Sequence, residues 1–267
     1  MRNAEFDFCI LIPCYNNTAG LLKSIQSIQY KKGAYLVLVI DDGSTQPITS
    51  NLPEQYQADH SIKILTLSTN QGIASALNHG LKWIKEQANT NYIARLDCGD
   101  ICSPFRFEKQ VEFLENHPLI ALVGTWCSFT NYREGFSYNY VTAIKHDDIQ
   151  REMHFKNVFI HPTVMFRCEI LEENIYYPTE FKHAEDYAFF WRILKKFQVA
   201  VIPENLVTCE LNSHSISAIN RKKQLKDRKL ILQQYGTHKL LKTLGLLRLS
   251  LLSVIPASIL LKLKKVA

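Results

Sequence analysis

Four short apolar runs in the first hundred residues each end in a polar, turn-forming segment. Phe6 to Ile12 leads into Pro13-Cys14-Tyr15-Asn16, and Leu36 to Ile40 into Asp41-Asp42-Gly43-Ser44. Ile62 to Leu67 leads into Asn70-Gln71-Gly72, and Tyr92 to Leu96 into Asp97-Cys98-Gly99-Asp100. A continuous β-branched run such as Leu36–Ile40 suits a strand buried on both faces. Between the runs, apolar residues recur at helical spacing. Leu21, Leu22, Ile25 and Ile28 follow Asn17 or Thr18 as N-cap, and Ile73, Ala76, Leu77, Gly80, Leu81 and Ile84 mark a second face. Ser103-Pro104 reads as an N-cap with proline at the first helical position, opening a helix to about Asn116, and Ile120–Gly124 reads as a fifth strand. The order predicts an α/β chain: a doubly wound, mostly parallel sheet with helices on both faces. Such sheets bind ligands beyond the carboxyl ends of their strands. That is the edge where the polar segments recur.

The second half is less regular. Residues 125–145 are aromatic and β-prone, Asp147–His154 suggests a short helix, and Glu185–Phe197 an aromatic-rich one. With 46% apolar and 21% charged residues, the 267-residue chain can bury a full core and is neither disordered nor fibrous. Seven cysteines, without a C-x-x-C pair and mostly inside apolar runs, fit reduced core thiols. No secretory leader is evident near Met1, so a cytoplasmic location is expected.

Three pairs of acids could carry chemistry. Asp41-Asp42 could close a turn or accept hydrogen bonds from a ligand. Asp97 and Asp100 could likewise serve a turn, or share a divalent cation that bridges a diphosphate. Glu185-Asp186 opens a helix, where it could complement the dipole or act as a general base. There is no Walker loop, no G-x-G-x-x-G after a strand, no H-E-x-x-H and no G-x-S-x-G. His161 and His214 are the histidines with a candidate role, a structural one being the alternative.

In this order the segments resemble glycosyltransferase family 2 on the GT-A fold. The matching stretches are I-L-I-P-C-Y-N-N (10–17), L-V-I-D-D-G-S-T (38–45), N-Q-G-I-A-S-A-L-N-H-G (70–80) and the segment from Ala94 through Glu115. V-F-I-H-P-T-V-M-F-R (158–167) and H-A-E-D-Y-A-F-F-W-R (183–192) complete the set. The resemblance implies an inverting transferase moving a sugar from a nucleoside diphosphate, UDP in the first instance, to a hydroxyl of a bacterial lipopolysaccharide, capsule or exopolysaccharide. It implies that Pro13, Tyr15 and Asp42 line the base with Asp41 in support, and that Asn78, Arg95 and Asp97 approach the nucleotide-sugar. Asp186 would be the general base with Glu185 beside it, and His161 and Trp191 would lie on the acceptor side. Asp97 and Asp100 would hold Mn2+ or Mg2+. Two departures stand out: Gly99 occupies the usual metal-binding Asp of R-x-D-x-D-D, and Cys209-Glu210 replaces a Y-R pair.

Charge divides the chain. Residues 221–267 carry 12 Lys and Arg against Asp227 alone, net +11, while residues 1–220 carry net −5. The two parts are expected to be a transferase domain, 1–220, and a basic, leucine-rich helical tail, 221–267. The longest uncharged stretch of the tail, Leu249–Leu261, has 13 residues and contains Pro256, too short to span a bilayer easily. Apolar and basic together, it suits an amphipathic helix on an anionic leaflet at the inner face of the cell membrane rather than nucleic acid. A helix packed on the body or a dimer interface is the alternative. A catalytically inactive scaffold and a nucleotidyltransferase are the competing functions. The second usually has a Gly-rich basic loop where this chain has P-C-Y-N-N.

Overall fold

The computed structural model describes residues 4–57, 59, 61–211 and 220–255. His214 and the last part of the tail, 256–267, lie outside them. The first half contains β1 (Phe6–Cys14), α1 (Thr18–Gln26), β2 (Tyr35–Asp41), the one-turn helices α2 (Ile48–Asn51) and α3 (Glu54–Gln57), β3 (Ile62–Thr66), α4 (Ile73–Gln87) and β4 (Thr90–Arg95). β2 pairs in parallel with β1 and β3, and β1 with β4, giving the order 3-2-1-4. Apolar residues on both sides of each strand explain the two-faced burial. Phe8, Ile10 and Ile12 pack with Leu21 and Ile25 of α1 on one face, while Cys9 and Leu11 meet Ala76, Leu77 and Leu81 of α4 on the other. Gly80 permits that second contact: a Cβ there would stand 2.3 Å from Leu11 Cδ1.

β5 (Ile101–Cys102), α5 (Arg106–Asn116), β6 (Ile120–Asn131), β7 (Phe136–Tyr140), α6 (His146–Glu152), β8 (Met165–Arg167), α7 (Glu185–Leu194) and β9 (Gln198–Glu210) follow. The nine-stranded sheet runs β3-β2-β1-β4-β8-β6-β9-β5, with β7 on β6. The fifth expected strand, β6, does not extend the parallel row beside β4. The three-residue β8 slots between them, antiparallel to both, and is too short to leave a periodic signal. The helix expected at Ser103-Pro104 begins at Arg106 instead. The backbone carbonyl of Ser103 accepts the Arg106 amide at 3.1 Å, which makes the Ser-Pro step a turn before the helix.

The tail forms two helices, α8 (Arg221–Tyr235) and α9 (Lys239–Val254), paired as an antiparallel hairpin. Arg221 at the start of α8 donates to the carbonyls of Leu252 and Ile255 at the end of α9, at 2.6 and 3.0 Å. Leu225, Ile231, Leu232, Tyr235 and Leu249 are buried in the same core as α7. The hairpin therefore packs on the body, as in the alternative reading of the tail. Each of those side chains left exposed would forfeit about 1.5–3 kcal/mol of burial. No helix among the described residues is long and apolar enough to cross a membrane.

Candidate active site

The loops after β1, β2 and β4 meet at one rim, and the charge of the last reaches the N-terminus of α7. The first two are zipped together: the Asn16 amide donates to Ser44 Oγ and the Thr45 amide to Asn16 Oδ1, both at 2.9 Å. Asp41 is fully buried and accepts from the amides of Ser44 and Ile48 at 2.9 and 3.1 Å. Its carboxylate closes the turn and caps α2, so its support of the site is structural. Asp42, also buried, reaches across to the next loop and takes the amides of Gln71 and Gly72 at 2.8 and 2.9 Å. Each of its oxygens keeps a second lone pair. Tyr15 is half exposed at the same rim and Pro13 partly buried beneath it.

The loop 97–100 is held from below. Ser24 on α1 is fully buried; its hydroxyl accepts the Gly99 amide at 2.9 Å and lies 3.0 and 2.9 Å from the carbonyls of Asp97 and Asp100. Asn17 caps α1 by accepting the Gly20 amide at 3.0 Å, as expected, and its amide also donates to the Cys98 carbonyl at 3.4 Å. Gly99 has φ +105°, a region costly for L residues. The missing acid of the motif is thus written into the backbone of the loop, because an Asp at this φ would be strained.

Several expected contact residues prove to be internal supports. Arg95 is fully buried: its guanidinium donates to the Leu11 carbonyl, to the Leu96 carbonyl at 3.2 Å, to His161 Nε2 at 3.3 Å and to Asp97 Oδ1 at 2.5 Å. It is enclosed in the wall, where it aims Asp97. His161 is buried between Arg95 and the Tyr177 hydroxyl, 2.8 Å away; burial, then the Arg95 charge, pushes its pKa down to about 3. A neutral imidazole accepting at Nε2 is therefore a strut, not an acceptor-side group. Asn78 spends its side-chain amide on the backbone of Tyr177, donating at 2.8 Å and accepting at 2.9 Å. Trp191 is fully buried and meets His154 edge-on at 5.1 Å. Its large apolar surface belongs to the core, which removes it from the acceptor side.

The Asp97 charge is felt at both acids that open α7. Burial is the main cause that raises Glu185 to about 8, with the charges of Asp186 and then Asp97 adding to it. Asp186 is raised too, first by burial and also by Asp97, while Arg228 of α8 opposes the shift. Charges on the loop after β4 are thus felt at the start of α7. Asp186 Oδ2 accepts from the Asn157 amide at 2.8 Å. The hairpin holds the same segment: Asp227 accepts the His183 amide at 3.1 Å, and the Arg228 guanidinium stands over the Tyr187 ring at 5.1 Å.

Asp97 and Asp100 carry the donor chemistry for a hard cation. Burial first, then the Asp97 charge, raises Asp100 to about 7, while the Glu210 amide, which donates to Asp100 Oδ1 at 3.4 Å, opposes the shift. Among the described residues no cluster of three or more His, Cys, Asp or Glu could hold a metal. The pair fits a cation of the Mg2+ or Mn2+ kind that takes its remaining ligands from phosphate and water.

Residues 9–175 match the sequence profile described as glycosyl transferase family 2. The chain belongs to this family. It is a glycosyltransferase, and its relatives include the amylovoran biosynthesis glycosyltransferase AmsE of Erwinia amylovora, 28% identical over 86% of this chain and 88% of the relative. The O-antigen biosynthesis glycosyltransferase WbnJ of Escherichia coli is 30% identical over 66% of each chain. Among solved structures, S. aureus TarS 1-349 superposes with a TM-score of 0.67 at 20% identity, over 91% of this chain and 70% of that one; it has also been solved with UDP and with UDP-GlcNAc. The mannosyltransferase PcManGT of Pyrobaculum calidifontis, with GDP-Man and Mn2+, superposes at 0.67 and 16% identity, over 93% and 74%. The architecture of the transferase is thus of the GT-A type.

Ser24, Asn157, Tyr177 and Arg228 of the transferase's site were not legible as functional. Ser24 left one trace, a serine among Leu21, Ile25 and Ile28 on the apolar stripe of α1. The other three lie in segments without a motif.

Proposed function

We propose that the transferase moves a sugar, with inversion, from UDP to a hydroxyl of a growing bacterial surface glycan. The observation that carries this is that the Asp97 charge acts on both Glu185 and Asp186, which supports reading Asp97 as a donor-side and Asp186 as an acceptor-side carboxylate of one site. AmsE and WbnJ, by their names, support a surface polysaccharide as the product; the UDP complexes of TarS support the choice of nucleotide. Pro13, Tyr15 and the outer lone pairs of Asp42 line the base. Asp97 and Asp100 would hold Mn2+ or Mg2+, which offsets the negative charge developing on the departing diphosphate. A lipid-linked acceptor would bring the enzyme to the inner face of the cell membrane.

Asp186 removes the proton of the attacking hydroxyl. A burial-raised carboxylate is a stronger base than a solvated one, and general-base assistance contributes about 10²–10⁴-fold. The Asn157 amide fixes one of its oxygens and leaves the other for the acceptor. Glu185, held near 8, keeps its proton at neutral pH and so leaves the base role to its neighbour. Arg95 stays within the wall and fixes Asp97 toward the donor.

Asp186→Asn keeps the shape and removes the base. Donor binding by thermal shift should stay within about twofold, while transfer falls by about 10²-fold or more. A variant with normal turnover would exclude Asp186 as base. Donor binding without transfer or donor hydrolysis in the unmodified enzyme would favour the inactive scaffold.

A further inference from the structure

α9 presents two unlike faces. Gly245 and Leu249 are buried against the body, and a Cβ at Gly245 would stand 2.1 Å from the His154 carbonyl oxygen. On the other side Leu240, Leu244, Leu247, Leu251 and Val254 are 62, 45, 57, 64 and 77% exposed. They recur at steps of four, three, four and three. At 3.6 residues per turn they fall within an arc of about 80°, opposite Gly245 and Leu249. A soluble hairpin does not need such a stripe, since the helix is already fastened on its inner side. Arg248 at the stripe's flank donates to the Phe155 carbonyl, and His238 receives the Leu241 amide as N-cap at 3.4 Å.

Charge identifies the occupant. Lys239 beside the stripe is exposed, as are Lys222, Lys223 and Lys226 on the paired helix α8, and residues 221–267 carry net +11. Two copies pairing through this face would bring two such charges together. An anionic bilayer surface meets both the apolar stripe and the cations around it. Nucleic acid would answer the charge and leave the leucines in water. We propose that α9 lies in the plane of an anionic membrane surface, with Leu240, Leu244, Leu247, Leu251 and Val254 seated among the acyl chains. The purpose of this docking, access to a lipid-linked acceptor, rests on the function proposed above; the docking itself does not.

The test uses the full chain and reads binding without activity. Vesicles of phosphatidylcholine with 30% phosphatidylglycerol, about 0.1 M salt, are floated with the protein, beside vesicles of phosphatidylcholine alone. The protein should float with the first and much less with the second, and less again at 0.5 M salt. Leu247→Gln with Leu251→Gln changes only exposed positions and should weaken binding by about tenfold per leucine, with unfolding temperature unchanged. Absence of flotation with the anionic vesicles would overturn the proposal. So would undiminished flotation of the double variant, which would assign the anchor to residues 256–267. A dimer in light scattering that the double variant dissolves, without vesicle binding, would overturn it in favour of a second copy. Truncation at 220 is not a usable control, because it strips Leu225, Ile231 and Leu232 from the core.

Discussion

Ser24→Ala isolates one hydroxyl that the structure places under the donor-side loop. The Ser24 Oγ accepts the Gly99 amide at 2.9 Å and has one proton to share between the carbonyls of Asp97 and Asp100, at 3.0 and 2.9 Å. Alanine therefore removes one accepted and one donated hydrogen bond at a fully buried position. The Gly99 amide keeps a second acceptor in the Gly20 carbonyl at 3.1 Å, which limits the loss on that side. At about 1 kcal/mol net per bond, with a further cost for a carbonyl left unpaired, the variant should lose about 1–3 kcal/mol of stability. The loop it frees carries Asp97 and Asp100, so about 1.4 kcal/mol of that loss reaching the donor complex would raise donor KM by about tenfold. kcat at saturating donor should change by less than about threefold, because Asp186 stands on a different element. Ser27→Ala provides the comparison. Ser27 Oγ accepts the Cys102 amide at 3.0 Å, beyond the acids, and its loss should lower stability without moving donor KM. Urea denaturation and initial rates against donor concentration give both quantities. If Ser24→Ala loses the expected stability with donor KM unchanged, or if Ser27→Ala raises KM equally, the loop 97–100 is not the donor side of the site.

Two further predictions concern the raised carboxyls. Glu185 is raised from 4.5 to about 8, so the folded state holds its proton more tightly than the unfolded chain does. Its burial penalty is absent below about pH 4.5, grows as the pH climbs, and is fully expressed above about 8. Glu185→Gln should therefore gain stability relative to the parent enzyme across that window, seen as denaturation midpoints that diverge between pH 5 and 8; parallel midpoints would contradict the buried placement. Asp100, near 7, must lose its proton to ligate a cation. Mn2+ affinity in the presence of UDP, followed by calorimetry, should fall by up to about tenfold per pH unit below 7, and Asp100→Asn should abolish that slope. An unmodified enzyme with flat affinity from pH 5.5 to 7.5 would take Asp100 out of the ligand set.

The parallel half of the fold was legible because period and composition agree there. β1 to β4 are apolar on both faces, and α1 and α4 carry stripes that match them. The acids at the strand ends were legible as a set, because the fold rule puts such loops on one edge. Their individual duties were not. Asp41, Asn78, Arg95 and His161 sit in the motif but spend their polar atoms on backbone or on one another, and a one-dimensional pattern does not record what a side chain bonds to. β8 escaped because three residues carry no period. The tail's composition suggested an amphipathic helix correctly, yet concealed that α8 belongs to the core, since its basic residues outnumber its apolar ones.

The amino-acid order alone settled the alternation of strand and helix, the edge at which the polar loops gather, and the sign of the charge at each end of the chain. These follow from local sterics, hydrophobic period and composition, which need no partner to act. Tertiary structure alone decided which of the clustered polar groups are struts and which stand free. It joined Asn157 and Arg228 to Asp186 from distant segments, and it turned one face of α9 inward and left the other bare. Desolvation and hydrogen bonding depend on distances in space, and those exist only once the chain has packed.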